Sequence, residues 1–278
     1  MAELNQIKNR IKTVGGVAKV TSAMKLVSTV KLQRWKNKML NNREYSLSMK
    51  EITDLVLSDP SIKETAYSKV NEKATKSLFI IVSSTLGLCG SYNYNIFDLA
   101  GSKIQKDDDA VILGKKGLAF FKNDEFEKLP GYEEYSSVSD EKIIKTLVEY
   151  ILKAFKDGVY KEVHVIYTNY KNSLTFVPTD EKILPLGSFD STDGYLPIFE
   201  PSPNELANIL IPMFIQTTIY QRLLESEVSE HASRSNAMNA ATDNAKEILD
   251  KLKIEFNKAR QAAITSEITE IVSGANAL

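Results

Sequence analysis

Apolar residues recur every three or four positions from the start of the chain: Leu4, Ile7, Ile11 and Val14, then Val17, Val20, Met24 and Val27. That spacing predicts a helix with one apolar stripe. From Val17 to Asp59 no glycine or proline interrupts it. The break in the pattern is Gly15-Gly16, where each glycine weakens a helix by ~1 kcal/mol relative to alanine. The pair reads either as a weak point or tight packing contact, or as a bend.

Between about residues 75 and 200 the pattern changes. "SLFIIVSS", "DAVILG" and "KEVHVIYT" are β-branched runs of strand length, separated by helical candidates such as "GKKGLAFFKN" and "DEKIIKTLVEYILKAFKDG". Strand alternating with helix predicts an α/β layer with a partly parallel sheet.

A third region opens at Ser202, which predicts an N-cap, with Pro203 at the first helical position and Glu205 completing a capping box. From Met213 to Ser273 there is again no glycine or proline. A continuous helix there would span ~90 Å at 1.5 Å per residue. Pro212 predicts a kink near its start and Gly274 its C-terminal stop. The stripe Ile215, Ile219, Leu223, Val228, Ala241, Ala245, Ile248, Leu252, Phe256, Ala259 and Ala263 resembles a coiled-coil seam. A helix of that length needs a long mate, and the N-terminal helix is the obvious one. The expected fold is α/β plus all-α: a long antiparallel coiled coil of N- and C-terminal helices (1–60 and 203–278) carrying an inserted Rossmann-like α/β domain at 75–200.

Charge adds a direction to this picture. Residues 1–43 hold ten Lys or Arg against one acid, Glu3, while the net charge of the 278-residue chain is -1. A basic helix on a near-neutral protein calls for an acidic partner. Sparse aromatic interleaving, with Trp35 nearly alone, favours protein over nucleic acid. The single cysteine, Cys89, excludes an internal disulfide, and with only two histidines it argues against a Cys/His zinc site. "LFIIV" and "NILIPMFI" fall short of the ~20 residues of a membrane span, and "MAELNQIKNRIK" has no signal-peptide core. A protein of a reducing compartment is expected, docked on a membrane complex if on any membrane at all.

Candidate chemistry is thin. "IIVSSTLGLCGSYNYN" places two glycines after a strand but lacks the spacing and the Lys-Ser/Thr of a phosphate loop. It reads as a structural turn through Gly87, Leu88, Cys89 and Gly90, with Cys89 packed and not nucleophilic. His164 reads as a core or face histidine and His231 as a seam or surface position. Asp107-Asp108-Asp109 reads as a solvated turn. No combination supplies an acid, a base and an oxyanion donor together. No catalytic residue, cofactor site or metal site is expected in this chain.

The C-terminal sequence is more specific. "AATDNA", "NKARQAAIT" and "EIVSGA", within 225–278, closely resemble the C-terminal signature of the γ subunit of F-type rotary ATP synthases. "IKNRIKTVGGVAKVTSAMKLVS" resembles that family's N-terminal helix and "GLCGSYNYN" its central motif, so the resemblance covers essentially the whole chain. It implies a central shaft whose slender C-terminal tip turns inside a hexamer of α and β subunits. A tip of small residues with few charges after Arg260 suits such a bearing. The implied contacts with the β subunits are Arg260, Gln261 and Thr265 at the tip. Met24, Lys25, Glu230 and Arg234 are implied where the shaft helices meet the β lever. The implied partners also include an ε-like subunit and a membrane ring. ATP and magnesium belong to the partners, and the implied location is the cytoplasmic face of the cell membrane, peripheral and without insertion.

Some positions depart from the family pattern. Thr85 and Leu86 stand where an Asp and a basic residue usually precede GLCG, Ser22 replaces a basic residue, and Ser235 replaces a methionine after Arg234. The Gly15-Gly16 pair is also unusual. These changes leave open a shaft of F-type descent that drives other machinery. A coiled-coil adaptor or nucleic-acid binder and a small α/β nucleotide enzyme are the readings from other classes.

Overall fold

A computed structural model describes residues 2–59, 62, 65–187 and 198–276. Helix α1 (Ala2–Leu57) and helix α5 (Pro203–Asn276) bracket strand β1 (Leu78–Val82), helix α2 (Tyr92–Lys103), strand β2 (Asp109–Leu113), helix α3 (Lys115–Phe120), strand β3 (Glu127–Lys128), helix α4 (Glu141–Lys156) and strands β4 (Val163–Tyr170) and β5 (Phe176–Leu184). The chain divides into two units: Met1–Thr29 with Arg234–Leu278, and Val30–Ser233.

In the larger unit the strands lie in the order β3-β2-β1-β4-β5. β1 is parallel to β2 and β4, β2 is parallel to β3, and β4 pairs antiparallel with β5. All five residues of β1 and of β2 are buried, as strands covered on both faces must be. The pleat sorts them. Phe79, Ile81, Ala110, Ile112 and Ile166 pack with Ile96, Phe97 and Ala100 of α2. Leu78, Ile80, Val82, Val111 and Val163 point to the opposite face, where α4 supplies Leu147, Ile151 and Phe155 and α5 supplies Ile215, Ile219, Leu223 and Val228. Trp35, Met39, Val56 and Leu57 of α1 join this second layer.

β3, α2 and β5 are additions to the elements that periodicity predicts. β5, "FVPTDEKIL", is polar and contains Pro178, which an edge strand tolerates because one side of its ladder is unpaired. The acidic triplet is not a solvated turn. Asp107 is exposed, but Asp108 and Asp109 are buried. Asp108 accepts from the Ser77 N–H at 2.8 Å and the Gln105 N–H at 2.9 Å, closing the turn into β2. Asp109 pairs with Lys76 at 3.0 Å and accepts from the Tyr160 hydroxyl at 2.8 Å. Burial, then the hydrogen bonds with Tyr150 and Asp109, push the Tyr160 phenol well up, so it stays a donor.

In the smaller unit the two helices run antiparallel. Thr29 meets Ser235 at 3.0 Å, Lys25 donates to Asn239 Oδ1 at 2.6 Å, and the hydroxyls of Thr21 and Thr242 lie 2.8 Å apart. The seam therefore runs through Thr21, Lys25 and Ser28, one position round from the expected valines. Val17, Val20 and Val27 are 50%, 59% and 58% exposed. On α5, Met238, Thr242, Ala245 and Leu252 are buried, whereas Ile248 faces outward. The seam hydroxyls bond to each other across the pair, a contact valine could not make, and the aliphatics lie outside it.

Ser202 caps α5 as expected, accepting from the Glu205 N–H at 3.3 Å. The helix then runs through Pro212 and past Gly274, which does not end it. Helix α1 likewise runs unbroken through Gly15-Gly16. No neighbouring atom lies within 4 Å of a Cβ built on either glycine. Tight packing against the described residues is thus excluded, which leaves the weak point and the bend as the readings of the pair. Among the described residues no helix is long and apolar enough to cross a membrane. Gly15→Ala and Gly16→Ala are expected to raise stability by about 0.5–1 kcal/mol each in urea unfolding, the gain of a helical site without steric cost.

Candidate functional site

In open α/β sheets ligands bind beyond the C-terminal ends of the strands, where the strand order reverses. Here the reversal lies between β1 and β4, and residues 83–91 after β1 form its rim. Ser83 and Ser84 are buried. The Ser83 hydroxyl donates to the Leu113 carbonyl at 2.9 Å and accepts from the Gly117 N–H at 2.9 Å. Gly114, at φ 99°, has no room for a side chain, because a Cβ would lie 2.2 Å from the Ser83 carbonyl oxygen.

The turn itself is tied by Asn93 on the first turn of α2. Its Oδ1 accepts from the Ser84 N–H at 3.0 Å, and its Nδ2 donates to Ser84 Oγ at 2.7 Å and to Cys89 Sγ at 3.3 Å. Within that loop Leu88 takes φ 61° and Gly90 φ 58°. A left-handed leucine costs about 1–2 kcal/mol and persists only where its surroundings hold it. Cys89 is accordingly a buried, packed residue whose carbonyl faces α5.

Helix α5 fills the crevice. Ser226 Oγ accepts from the Thr168 N–H at 3.1 Å, the Ser229 hydroxyl donates to the Thr168 carbonyl at 3.2 Å, and the Ser233 hydroxyl donates to the Cys89 carbonyl at 2.6 Å. The spacings of three and four residues put all three serines on one helical face. They satisfy the backbone of β4 and of the turn after β1, where a bound ligand would otherwise do so. Tyr92 lies fully buried against the same face; burial first, and then the nearby Glu230 carboxylate, push its phenol well up. The sequence signal was present in the small polar residues of "ESEVSEHASRS", but periodicity tracks apolar positions and passed over them.

Farther down α5, Arg222 makes a bidentate ion pair with Glu181 of β5 at 2.6 and 2.8 Å and lies over the Tyr167 ring. Glu225, beside it, has its carboxyl pushed up by burial, which outweighs the Arg222 charge. Gln221 links Glu225 to Asn42 of α1 through contacts of 3.2 and 2.8 Å. Glu181, Arg222, Glu225, Gln221 and Asn42 thus join β5, α5 and α1 in one polar network.

The expected partner-binding residues fall in both units. Arg260, Gln261 and Thr265 are exposed on α5, with Thr265 Oγ1 donating back to the Gln261 carbonyl. Met24 is half-buried in α1, while Lys25 is held by Asn239. Arg234 is buried, and Glu230, half-buried, precedes it by one helical turn. His231 is also buried, 3.3 Å from the Glu227 carboxylate. The outward faces of the smaller unit carry Val17, Val20, Leu26 and Val27 on α1 and Ile254, Ile264, Ile268 and Ile271 on α5.

The larger unit is an open α/β sheet whose crevice is taken up by its own helix α5, and the smaller unit is an antiparallel helical pair. A family model described as ATP synthase matches residues 3–278, and the chain belongs to that family. A relative from Mycoplasma mobile, named ATP synthase gamma chain, is 38% identical over 99% of this chain and 98% of its own length. One of the same name from Fusobacterium nucleatum is 35% identical over the full length of both chains. A chain in the Euglena gracilis mitochondrial ATP synthase structure (OSCP/F1/c-ring, rotational state 3) superposes with a TM-score of 0.66 at 18% identity, covering 98% of this chain and 94% of that one.

Asn93→Ala is expected to destabilise the chain by about 2 kcal/mol, since it strands the Ser84 N–H and releases the strained turn. Urea unfolding followed by circular dichroism measures it.

Proposed function

We propose that this chain is the rotating central-stalk subunit of an F-type ATP synthase, coupling ATP synthesis or hydrolysis on an α/β hexamer to rotation and ion translocation. One observation carries the reading: the smaller unit leaves large apolar side chains on its surface. Threonine, serine, lysine and asparagine share its seam with Ile7, Met238, Ala245 and Leu252, while Val17, Val20, Val27, Ile264 and Ile268 point outward. A contiguous exposed apolar face marks a surface that a partner covers. An apolar sleeve around such a pair gives the fit of a bearing without fixed ion pairs that would lock one angle.

Catalysis is assigned to the partners, which bind ATP and magnesium. The chain's own residues set angle and fit. Arg260, Gln261 and Thr265 offer polar contacts to one β subunit at a time, made and broken as the shaft turns. The cations of residues 1–43 face acidic segments of the β subunits, with Met24, Lys25, Glu230 and Arg234 at the lever contact. The α/β foot meets an ε-like subunit and a membrane ring, so the protein is held peripherally at the cytoplasmic face of the membrane.

Native affinity purification of the chain, with mass spectrometry and an ATPase assay, tests this. Recovery of an ATPase-active α/β hexamer with a membrane ring is the expected result. Recovery of the active hexamer with other machinery in place of the ring would make the altered foot a change of output, and no hexamer under mild conditions would overturn the shaft reading. In the purified complex, joint Arg260→Ala and Gln261→Ala substitution is expected to lower ATP turnover by about tenfold, equivalent to roughly 1.4 kcal/mol. Helix content should not change, because both side chains are exposed.

A further inference from the structure

On the sheet face away from α5, His164 lies between two carboxylates. Its Nδ1 is 2.8 Å from Asp180 Oδ1 on β5, and its Nε2 is 3.3 Å from Glu162 Oε2 at the entry to β4. The ring stacks on Phe79 of β1 with centroids 5.0 Å apart, and the side chain is 16% exposed. Each carboxylate turns its other oxygen to a lysine: Lys103 of α2 lies 3.9 Å from Asp180 Oδ2, and Lys182 of β5 lies 3.4 Å from Glu162 Oε1. Lys182 is also the cross-strand partner of His164, next to an irregularity in the β4–β5 ladder. The order Lys103, Asp180, His164, Glu162, Lys182 therefore alternates in charge if the ring is a cation.

Geometry favours that cation. A neutral imidazole has one N–H, so its second nitrogen would turn a lone pair toward a carboxylate. Only the imidazolium donates at both ends. The two lysines oppose its charge, but both are about half exposed and bound at longer range. Burial also works against the cation, yet the hydrogen bonds and charges of Asp180 and then Glu162 prevail, and the net shift is upward from 6.5. Glu162 is lowered in turn: burial would raise it, and the hydrogen bonds from His164 and Lys182 outweigh that.

We propose that His164 is a latch on the foot that releases as pH rises. As an imidazolium it ties edge strand β5, through Asp180, and the entry of β4, through Glu162, to the centre of the sheet. Loss of one proton removes the Nε2 donor from Glu162 and the positive charge from beside Asp180, which weakens the tie to β5, an edge strand paired with β4 alone among the described residues. A histidine whose folded pKa is raised stabilises the fold fully below the unfolded value, and that contribution disappears as pH rises through the folded value. The foot is thereby made responsive to proton activity, independently of what the shaft drives.

The test is a proton titration of the full chain labelled with 13C-histidine, whose two histidine signals are assigned with His164→Gln. The His164 midpoint is expected above 6.5, and Asp180→Asn and Glu162→Gln should each lower it. Urea midpoints of the native chain should exceed those of His164→Gln most at acidic pH, with the gap closing as pH passes the His164 midpoint. A midpoint at or below 6.5, or a stability gap that does not change with pH, would overturn the proposal. Where His164→Gln does not fold, the two carboxylate variants decide it: an unmoved midpoint in both means that neither contact holds the charge.

Discussion

The organisation of the helical unit follows from one close approach. Thr21 and Thr242 meet hydroxyl to hydroxyl at 2.8 Å, a separation that helices carrying valine or isoleucine at those positions could not reach. Interfaces of small polar side chains let backbones come near, and each hydroxyl finds a partner there instead of being buried without one. With Thr21, Lys25 and Ser28 in the seam, Val20 and Val27 fall about a quarter-turn round the helix, and Val17, one turn before Thr21, is left half exposed at the edge of the contact. The pair is then internally hydrogen-bonded and carries an exposed apolar stripe beside its charged residues. Water is a poor environment for that surface, so the element makes sense as the inner part of an assembly.

The foot solves a different problem with related means. A doubly wound sheet leaves unsatisfied backbone groups where its strand order reverses, and such crevices usually receive a ligand. Ser226, Ser229 and Ser233 satisfy them from α5. Below them, Ile211, Ile215, Ile219 and Leu223 sit in the larger apolar core. The helix is therefore held to the sheet both by apolar burial, which resists separation, and by directional bonds, which fix its rotation about its own axis. A fold able to bind nucleotide is used here as a grip.

Much of this was legible beforehand. Ser202, Pro203 and Glu205 announced the start of α5 through local chemistry alone, and the β-branched runs of β1, β2 and β4 announced a covered sheet. What failed did so for physical reasons. Hydropathy registers Val17, Val20 and Val27 as a face but cannot tell an internal mate from an external sleeve. The polar edge strand β5 carries no alternating signal, and Asp108 and Asp109 look solvated until Ser77, Gln105, Lys76 and Tyr160 close around them. The three clamp serines were hidden because hydrogen bonding to a distant backbone has no period. Family resemblance supplied the expectation of tip contacts at Arg260, Gln261 and Thr265, which no local pattern would have chosen.

The central claim is that the outward apolar faces of the helical unit are covered by a sleeve of partner subunits. Thiol labelling of single cysteines in a Cys89→Ser background tests it most directly. Cysteine would be placed at Val20, Val27, Ile264 and Ile268, and its labelling rate compared between the free chain and the purified complex. The account predicts fast labelling of all four in the free chain and strong protection of all four on assembly. Equal rates in both states would contradict it, because an apolar face left in water by the assembled complex is not a bearing surface.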